Sequence, residues 1–295
     1  MSEPAGAVAI TGSSGKVGAA LLKLLAAGGR DVLAWQRPIF DLDEPAAAAR
    51  LISGRRPALV IHAAAWTAVD ECARHPRLAM ARNGRAVAML AAAARAIGAG
   101  FVLLSTNEVF DGMRRDGRGY TETDPVRPAN PYGLSKAAGE AYAAEAYAGS
   151  TTPLWIVRTA WVYGPPGNDF PTKIIDAGRS AIAVGDALDV VADEVGSPTY
   201  SADLAINLMR LLERAPEGGL FHLAAPDSAS RLEVAKRVID RCLPRLSLRP
   251  IESASYGRVS RPPKWAVLDS STAAQIGISL RPWRIALDDY LSALC

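Results

Sequence analysis

The chain has 295 residues, of which 49% are hydrophobic and 21% are charged, a balance that is ordinary for globular proteins. This length fits one large domain or two modest domains, with enough apolar material for a core. The 33 basic and 30 acidic residues leave a formal net charge of only +3, and the basic residues are spread along the chain. The composition therefore argues against a nucleic-acid-binding protein.

Cysteine and histidine are too few and too scattered to suggest a disulfide framework or a metal centre. No pair has the spacing of metal ligands, and the residues are Cys72, Cys242, Cys295, His62, His75 and His222. The N-terminus lacks the basic start and apolar core of a signal peptide, and no apolar run is long enough to span a membrane. We expect a reduced, cytoplasmic protein without a metal or a membrane anchor.

A glycine-rich turn joins the first predicted strand, residues 8–10, to a predicted helix at residues 19–27. The turn has the pattern G-x-x-G-x-x-G between residues 12 and 18. Glycine allows a tight turn and a close approach of backbone to phosphate, and a helix N-terminus favours an anion. The turn therefore predicts a dinucleotide site, although glycine-rich turns also occur without ligands. Its predicted cofactor-binding residues are Gly12, Ser14, Gly15, Lys16 and Val17.

The second predicted strand, residues 31–35, bears on the choice of cofactor. A site that prefers NAD usually has an acid just after this strand, on the ribose 2′-hydroxyl. This chain has Arg37 there, which either meets the 2′-phosphate of NADPH or is simply solvated. We expect NADPH, with NADH as the alternative. Asp41 and Leu42 follow in a loop that either covers the adenine or caps the next helix.

Small and hydroxylated residues follow the next two predicted strands, residues 58–62 and 101–104. The small residues after the third strand would let a cofactor lie across the strand ends, or would serve helix–sheet packing; they are Ala63, Ala64 and Ala65. Thr106 follows the fourth strand, where its hydroxyl would bind a substrate carbonyl or cap a turn. Both segments are predicted at the carboxyl edge of a parallel sheet, where ligands bind.

Tyr132 and Lys136 lie near the start of a helix predicted to run to about residue 147. Asn130 suits the N-cap and Pro131 the first helical position. The four-residue spacing places both side chains on one helix face, where a lysine ammonium would lower the pKa of the phenol. A tyrosine so perturbed is a usable acid near neutral pH. By itself, a Y-x-x-x-K pair more often marks a solvated surface.

The alternation of strands with helices predicts an α/β protein with a Rossmann-type, doubly wound parallel sheet. Proline and glycine become denser near residues 164–167. We place a boundary there, between a dinucleotide-binding domain at residues 1–165 and a smaller α/β substrate-binding domain at residues 166–295. A segment near residues 196–215 is expected to pack back on the first domain.

Longer motifs accompany the glycine-rich turn, the hydroxyl after the fourth strand and the Tyr/Lys pair. With them the chain resembles the extended short-chain dehydrogenase/reductases, and in its finer motifs it is similar to the dTDP-4-dehydrorhamnose reductase family. The motifs that carry the resemblance are residues 63–70 (AAAWTAVD), 105–110 (STNEVF), 132–136 (YGLSK), 158–164 (RTAWVYG), 168–170 (NDF), 196–199 (GSPT), 261–262 (RP) and 268–269 (LD).

The resemblance implies NAD(P)H-dependent reduction of the 4-keto group of a nucleotide-linked 6-deoxyhexose, dTDP-4-dehydro-L-rhamnose above all. Tyr132 would donate the proton, Lys136 would lower the tyrosine pKa and hold the nicotinamide ribose, and Thr106 would orient the carbonyl. The implied substrate-binding residues are Trp66, Thr67, Asn107, Glu108, Trp161, Asn168 and Arg261.

Several of these residues have a competing structural role. Trp161 packs on the sugar or fills a core, Arg261 binds the diphosphate or forms a surface salt bridge, and Asn168 contacts substrate or caps a helix. The family usually has Asp-Tyr in place of Asn107-Glu108, and Tyr or a Phe-like residue in place of Trp66. The identity of the sugar nucleotide is therefore open.

Two other functions are compatible with the sequence. An epimerase or dehydratase of the same superfamily keeps Y-x-x-x-K and retains its NAD, and a dehydratase generally adds an acid pair beside the threonine. Here Glu108 is ionisable and Asn107 is not. A non-catalytic, cofactor-binding regulatory subunit would have no need of Thr106, Tyr132 and Lys136 together. The sequence is also compatible with a homodimer.

Overall fold

A computed structural model describes residues 6–295, which form one large sheet covered by helices and three small sheets beside it. The strands are β1 (Val8–Thr11), β2 (Val32–Trp35), β3 (Leu59–His62), β4 (Gly100–Thr106), β5 (Leu154–Thr159), β6 (Val162–Tyr163), β7 (Leu188–Val191), β8 (Val195–Gly196), β9 (Thr199–Tyr200), β10 (Gly218–His222), β11 (Ala229–Ser230), β12 (Leu248–Ile251) and β13 (Trp265–Ala266).

The α-helices are α1 (Lys16–Ala27), α2 (Pro45–Arg55), α3 (Val69–Arg74), α4 (Pro76–Ala79), α5 (Ala86–Ala96), α6 (Pro131–Tyr147), α7 (Phe170–Val184), α8 (Ser201–Arg214), α9 (Arg231–Cys242), α10 (Ser271–Gln275) and α11 (Trp283–Ser292). A π-helical turn at Met80–Arg85 joins α4 to α5, and short 3₁₀ turns lie at Asn107–Val109 and Ser253–Ser255.

The large sheet has six strands in the order β10-β5-β4-β3-β1-β2, and every pairing is parallel. The chain runs outward from β1 to β2 in one direction and from β3 to β5 in the other. The order therefore reverses between β1 and β3, and in such sheets the ligand crevice opens at the carboxyl ends of these strands. The predicted doubly wound, Rossmann-type sheet is confirmed.

The two faces of the sheet bury two separate cores, because successive side chains of a strand point in opposite directions. Val8 and Ile10 pack with α1 and α8 on one face. Ala9 and Phe101 pack with α2, α5 and α6 on the other. Strands buried on both faces read as near-continuous apolar runs, which is why they were visible in the sequence.

Residues on both sides of position 165 build the large sheet. Strand β10 pairs with β5 at the sheet edge. Helix α8 contributes Leu204, Leu208 and Leu211 to the core that contains α1. A third core lies under α7, α9 and α11, where Ile174 and Trp283 are buried. Helix α7 is not predicted from the sequence, because its start directly follows a segment rich in proline and glycine, which is typical of a loop.

The π-helical turn packs closely on α6. A side-chain carbon at Gly139 would lie 2.5 Å from the carbonyl oxygen of Asn83, so only glycine fits at this position. The sequence predicts one continuous helix over residues 79–97, but the structure places the wider turn at Met80–Arg85. Such turns are frequent at functional sites, and this one carries Asn83.

Two of the three cysteines form a disulfide, which corrects the expectation of a fully reduced chain. Cys242, at the end of α9, is bonded to Cys295 across 53 residues, with 5.3 Å between their Cα atoms. Spacing in sequence does not reveal this pair because α9 and the chain end meet only in the third core. Cys72 is buried and free. Between residues 6 and 295, no helix is long and apolar enough to cross a membrane.

Candidate active site

The glycine-rich turn lies between β1 and α1, at the point where the strand order reverses. Gly12 has φ +64°, and a side-chain carbon there would lie 2.8 Å from the backbone of Ala64. A side-chain carbon at Gly18 would lie 2.2 Å from the carbonyl oxygen of Gly12. Helix α1 starts after Gly15 without a side-chain cap and without an acid in its first turn. Its first N–H groups are therefore available to an anion.

Lys16 and Val17 open α1. Val17 packs against the core under the sheet. The Lys16 ammonium donates to the backbone oxygen of Asn168, 3.3 Å away, so the turn after β1 touches the segment before α7. Burial lowers the pKa of Lys16, while the nearby Asp169 carboxylate opposes that shift. A partly desolvated ammonium here would be stabilised by a phosphate.

Arg37 is exposed and bound to acids in this structure. Its guanidinium donates to Asp41 at 2.9 Å and to Asp43 at 3.2 Å. Asp43 also accepts two hydrogen bonds from Arg82, both 2.6 Å long. The pKa of Asp41 is lowered, chiefly by the backbone N–H of Asp43. A 2′-phosphate at Arg37 would compete with these carboxylates. Leu42 is buried between them and the sheet.

The segment of three alanines after β3 is half-buried, and Asn83 holds its end in place. The Asn83 amide accepts from the backbone N–H of Trp66 at 2.8 Å and donates to the Trp66 oxygen at 3.0 Å and to Ser135 at 3.1 Å. Asn83 thus ties this segment to α6, a role that sequence reasoning did not assign. Ala64 N–H donates to Thr11 Oγ1 at 3.2 Å.

Thr106, Tyr132 and Lys136 come together at the carboxyl end of β4. All three are buried, and burial raises the pKa of the Tyr132 phenol while the nearby Thr106 hydroxyl lowers it. The Lys136 ammonium donates to the carbonyl oxygen of Leu104 at 2.7 Å. Asn130 caps α6 by accepting from Gly133 N–H at 2.9 Å. The predicted helix start therefore sets the position of Tyr132.

The predicted lowering of the Tyr132 pKa is not present in this structure. Burial raises the pKa of Tyr132, and the Glu108 carboxyl raises it further. Burial also lowers the pKa of Lys136 to about 8, with Glu140 opposing the shift. The sequence places the two groups on one helix face but does not show that both lose their water, and desolvation is the largest cause of each pKa shift.

A buried ion pair supports this group from below. Arg158, on β5, donates to Glu140, on α6, at 2.9 and 2.6 Å, and Ser105 donates to the same carboxylate. His62 lies nearby under the alanine segment, 2.8 Å from Thr11 Oγ1. Burial, with a smaller contribution from Lys136, lowers the pKa of His62 to about 3, so this histidine is neutral.

A cavity of about 350 Å³ adjoins this group and contains four of the predicted substrate-binding residues, which are Thr67, Asn107, Glu108 and Trp161. The Glu108 carboxylate accepts from the Asn130 amide at 2.6 Å, and burial raises its pKa. Asn107 donates to the carbonyl of Ala266 at 3.2 Å. We call this space the sugar cavity.

The other three predicted substrate-binding residues lie elsewhere. Arg261 is exposed and lines a different cavity of about 770 Å³. Asn168 is exposed, with φ +54°, and the cap of α7 is Asp169 rather than Asn168. Trp66 is stacked under the Arg82 guanidinium, 4.7 Å from the ring centre. The structure does not bring these three into the sugar cavity.

Sequence reasoning missed several charged residues of the sugar cavity, which are Lys173, Glu194, Arg231 and Arg258. They come from α7, β8 and its approach, α9, and the segment before β13. No local motif marks them, because Arg231 reads as the first residue of a capped helix and the others as solvated charges. Only the third core brings these elements to the edge of the large sheet.

The family described as RmlD substrate binding domain matches residues 6–295, the whole of the described structure. The chain belongs to this family. An RmlD-family relative from Streptomyces griseus, named dTDP-4-dehydrorhamnose reductase, is 38% identical over 293 residues and covers 97% of this chain and 93% of the relative. The resemblance predicted from the motifs is confirmed.

Solved structures of two dTDP-4-dehydrorhamnose reductases have the same fold over nearly their whole length. A dTDP-4-dehydrorhamnose reductase from Clostridium acetobutylicum is 30% identical, with a TM-score of 0.89 and coverage of 98% of this chain and 99% of the other. The Bacillus anthracis dTDP-4-dehydrorhamnose reductase in complex with NADP is 29% identical, with a TM-score of 0.87 and the same coverage.

Proposed function

We propose that this protein reduces the 4-keto group of a nucleotide-linked 6-deoxyhexose with NADPH, and that its substrate is dTDP-4-dehydro-L-rhamnose. The observation that carries the proposal is the meeting of Thr106, Tyr132 and Lys136 at the carboxyl end of β4, beside the sugar cavity. Relatives of similar length are named for this reaction. Placed in this way, the three side chains suit proton transfer to a carbonyl oxygen.

The turn after β1 fits a dinucleotide. Gly12 and Gly18 have no room for a side chain, and the N–H groups that open α1 lack a side-chain partner. The residues that would hold the cofactor are those predicted in this turn, Arg37, Asp41 and Leu42 after β2, the three alanines after β3, and Tyr132 with Lys136. Bound NADPH supplies the hydride for the reaction. The relative crystallised with NADP supports this choice.

The raised pKa of Tyr132 suits a proton donor. Because the phenol is buried beside the Glu108 carboxyl, it keeps its proton at neutral pH and can deliver it to the oxygen of the reduced carbonyl. Thr106, which lies beside the same phenol, orients that oxygen. The Lys136 ammonium, with a pKa of about 8, is charged at neutral pH and compensates the phenolate left after transfer.

The substrate would lie between two parts of the chain. We propose that residues 1–165 bind the cofactor and that residues 166–295 form the substrate-binding domain, with Trp161 at the junction; both parts line the sugar cavity. Thr67, Asn107 and Glu108, from residues 1–165, would contact the sugar. We propose that the protein works in the cytoplasm, where NADPH is supplied. A homodimer remains a prediction that sedimentation would test.

Loss of NADPH absorbance, followed with the keto sugar generated in situ, tests the proposal. Tyr132→Phe should lower kcat by at least about 100-fold because the proton donor is gone, while the dissociation constant of NADPH stays within a factor of about two. Tyr142→Phe, on the same helix but outside the site, is the matched control. Retention of most activity in Tyr132→Phe would rule out this donor.

The same assay separates the alternative functions. A reductase oxidises NADPH only when the sugar nucleotide is present. An epimerase or dehydratase would carry tightly held NAD through purification and would convert the sugar without net oxidation. A regulatory subunit would bind the cofactor and give no turnover with the keto sugar.

A further inference from the structure

We propose that Arg231 and Arg258 bind the diphosphate of the nucleotide sugar, and that Arg231 at the same time fixes the ring of Trp161. This inference rests on the proposed function for the class of substrate. It assigns the anion to residues that no sequence motif marks, and not to Arg261, which lines another cavity.

Two cavities meet at these arginines. The sugar cavity of about 350 Å³ and a second cavity of about 510 Å³ have five residues in common, which are Asp70, Trp161, Lys173, Arg231 and Arg258. Besides Asp169 and Asp189, the rest of the second cavity wall is formed by aromatic and aliphatic residues, among them Phe170, Ile174, Val190 and Tyr256. The flat nucleotide base would pack on these aromatic and aliphatic residues, and the sugar would occupy the first cavity. The diphosphate, which lies between the two in a nucleotide sugar, would then lie at the basic residues that both cavities share.

The guanidinium of Arg231 has an unsatisfied hydrogen-bond donor. The guanidinium stacks on the Trp161 ring at 3.6 Å and on Phe170 at 4.9 Å. Its Nε lies 3.6 Å from Glu194, too far for a hydrogen bond, and has no hydrogen-bond partner. Burial lowers the pKa of Arg231 to about 10. A largely buried guanidinium with an unused Nε donor gains from an anionic ligand.

Most of the acidic side chains near Arg231 are already paired with other residues. The buried carboxylate of Glu194 is shared between Arg231 and Arg258, which donates to it at 2.8 Å. Asp70 is occupied by hydrogen bonds from Ser260. Glu71, also in the cavity wall, pairs with Arg74, and the Glu108 carboxyl accepts a hydrogen bond from the Asn130 amide at 2.6 Å. Of the charged residues that line both cavities, Lys173, Arg231 and Arg258 are basic and only Asp70 is acidic, so their junction favours a negative group.

Trp161 is clamped between Arg231 and β8. Its backbone has φ +42°, a region that bulky residues rarely occupy. On the other side of the ring, a side-chain carbon at Gly196 would lie 2.5 Å from the indole, so the ring has no space to retreat. An anion that orders Arg231 would therefore also order the wall of the sugar cavity, which links diphosphate binding to sugar positioning.

Calorimetric titration of the full chain with dTDP, in the presence of NADP, measures the proposed contact without turnover. Arg231→Gln and Arg258→Gln should each weaken dTDP binding by at least about 10-fold, because each removes one positive charge that would pair with the diphosphate. Thymidine binding should change by less than about threefold. Arg231→Lys should recover only part of the loss, since a lysine keeps the charge but not the planar fork. Arg179→Gln, exposed on α7, is the control.

NADP affinity and the thermal midpoint show whether each variant is folded. The inference is overturned if folded Arg231→Gln and Arg258→Gln bind dTDP as the wild type does, if thymidine binding falls equally, or if Arg261→Gln gives the larger loss. Arginine-dependent dTDP binding together with an inactive wild type would instead retain the diphosphate site and refute the proposed reductase.

Discussion

Lys136 is the residue whose setting departs most from what its sequence pattern suggests. The Y-x-x-x-K spacing correctly places Tyr132 and Lys136 on one face near the start of α6. The spacing carries no information on burial, and burial decides the direction of both pKa shifts. The directions of these pKa shifts therefore follow from the packing of α6 against β4 and not from the spacing.

The lowered pKa of Lys136 predicts a specific dependence of stability on pH. Below about pH 8 the lysine is charged in the folded and the unfolded chain, so the cost of burying the charge is fully present. Between about 8 and the ordinary value of 10.5, the unfolded chain binds more protons than the folded chain, and stability rises with pH.

Replacing Lys136 by Met should therefore stabilise the protein at pH 7, by about 1–2 kcal/mol, while abolishing turnover. The gain should shrink as the pH approaches 10, because the wild type then escapes the cost of burial. Thermal unfolding of both proteins between pH 6 and 10 measures the effect, and the exposed Lys23→Met is the control. A gain that is independent of pH would contradict this account.

At the scale of elements, α6 is held to the sheet by the pair of Glu140 with Arg158. Both partners are buried, and Arg158 donates two hydrogen bonds to the carboxylate. Removing one member of such a pair leaves an uncompensated charge in the interior. The pair joins α6 to β5 and, through Ser105, to β4, and so anchors the helix that carries Tyr132 to the sheet.

Glu140→Ala should lower the free energy of unfolding by about 3–5 kcal/mol. Glu145→Ala, at an exposed position of the same helix, should change it by no more than about 0.5 kcal/mol. Urea unfolding followed by circular dichroism measures both. Equal effects of the two substitutions would show that the buried pair does not hold α6.

The large sheet was the most predictable group of elements. Its strands are apolar runs bounded by turn residues, and strand ends mark the ligand edge, so the positions of Gly12, Ala64 and Thr106 followed from local sequence. Helix α7 and the charged wall of the sugar cavity did not. Glu194 and Arg231 are neighbours only because β8 and β11 pair, and that antiparallel contact has no local signal.

At the scale of the whole molecule, the disulfide between Cys242 and Cys295 ties the chain end to α9. Helix α11, just before that end, carries Tyr290, whose hydroxyl donates to Asp169 at 3.0 Å. Asp169 caps α7 and also accepts from Gly164 N–H at 2.8 Å. The chain end is thus linked through three elements to the wall of the second cavity.

Cys242→Ser should lower the free energy of unfolding by about 2–4 kcal/mol, because the bond closes a loop of 53 residues in the unfolded chain. Thermal unfolding with and without a thiol reductant measures this, and reductant should leave the Cys242→Ser variant unchanged. Thiol alkylation followed by mass spectrometry, finding both cysteines free in protein from an oxidising buffer, would show that the bond does not form.

The close contact of Gly139 with Asn83 restricts the mutational paths open to this chain. A side chain at position 139 would collide with a backbone carbonyl, and no substitution at position 83 removes that oxygen. The π-helical turn would have to move, and Asn83 would release Trp66 and with it the alanine segment after β3. No substitution at position 83 can therefore compensate for a side chain at position 139. We expect selection for cofactor binding to remove such changes, whether they occur alone or together with a change at position 83.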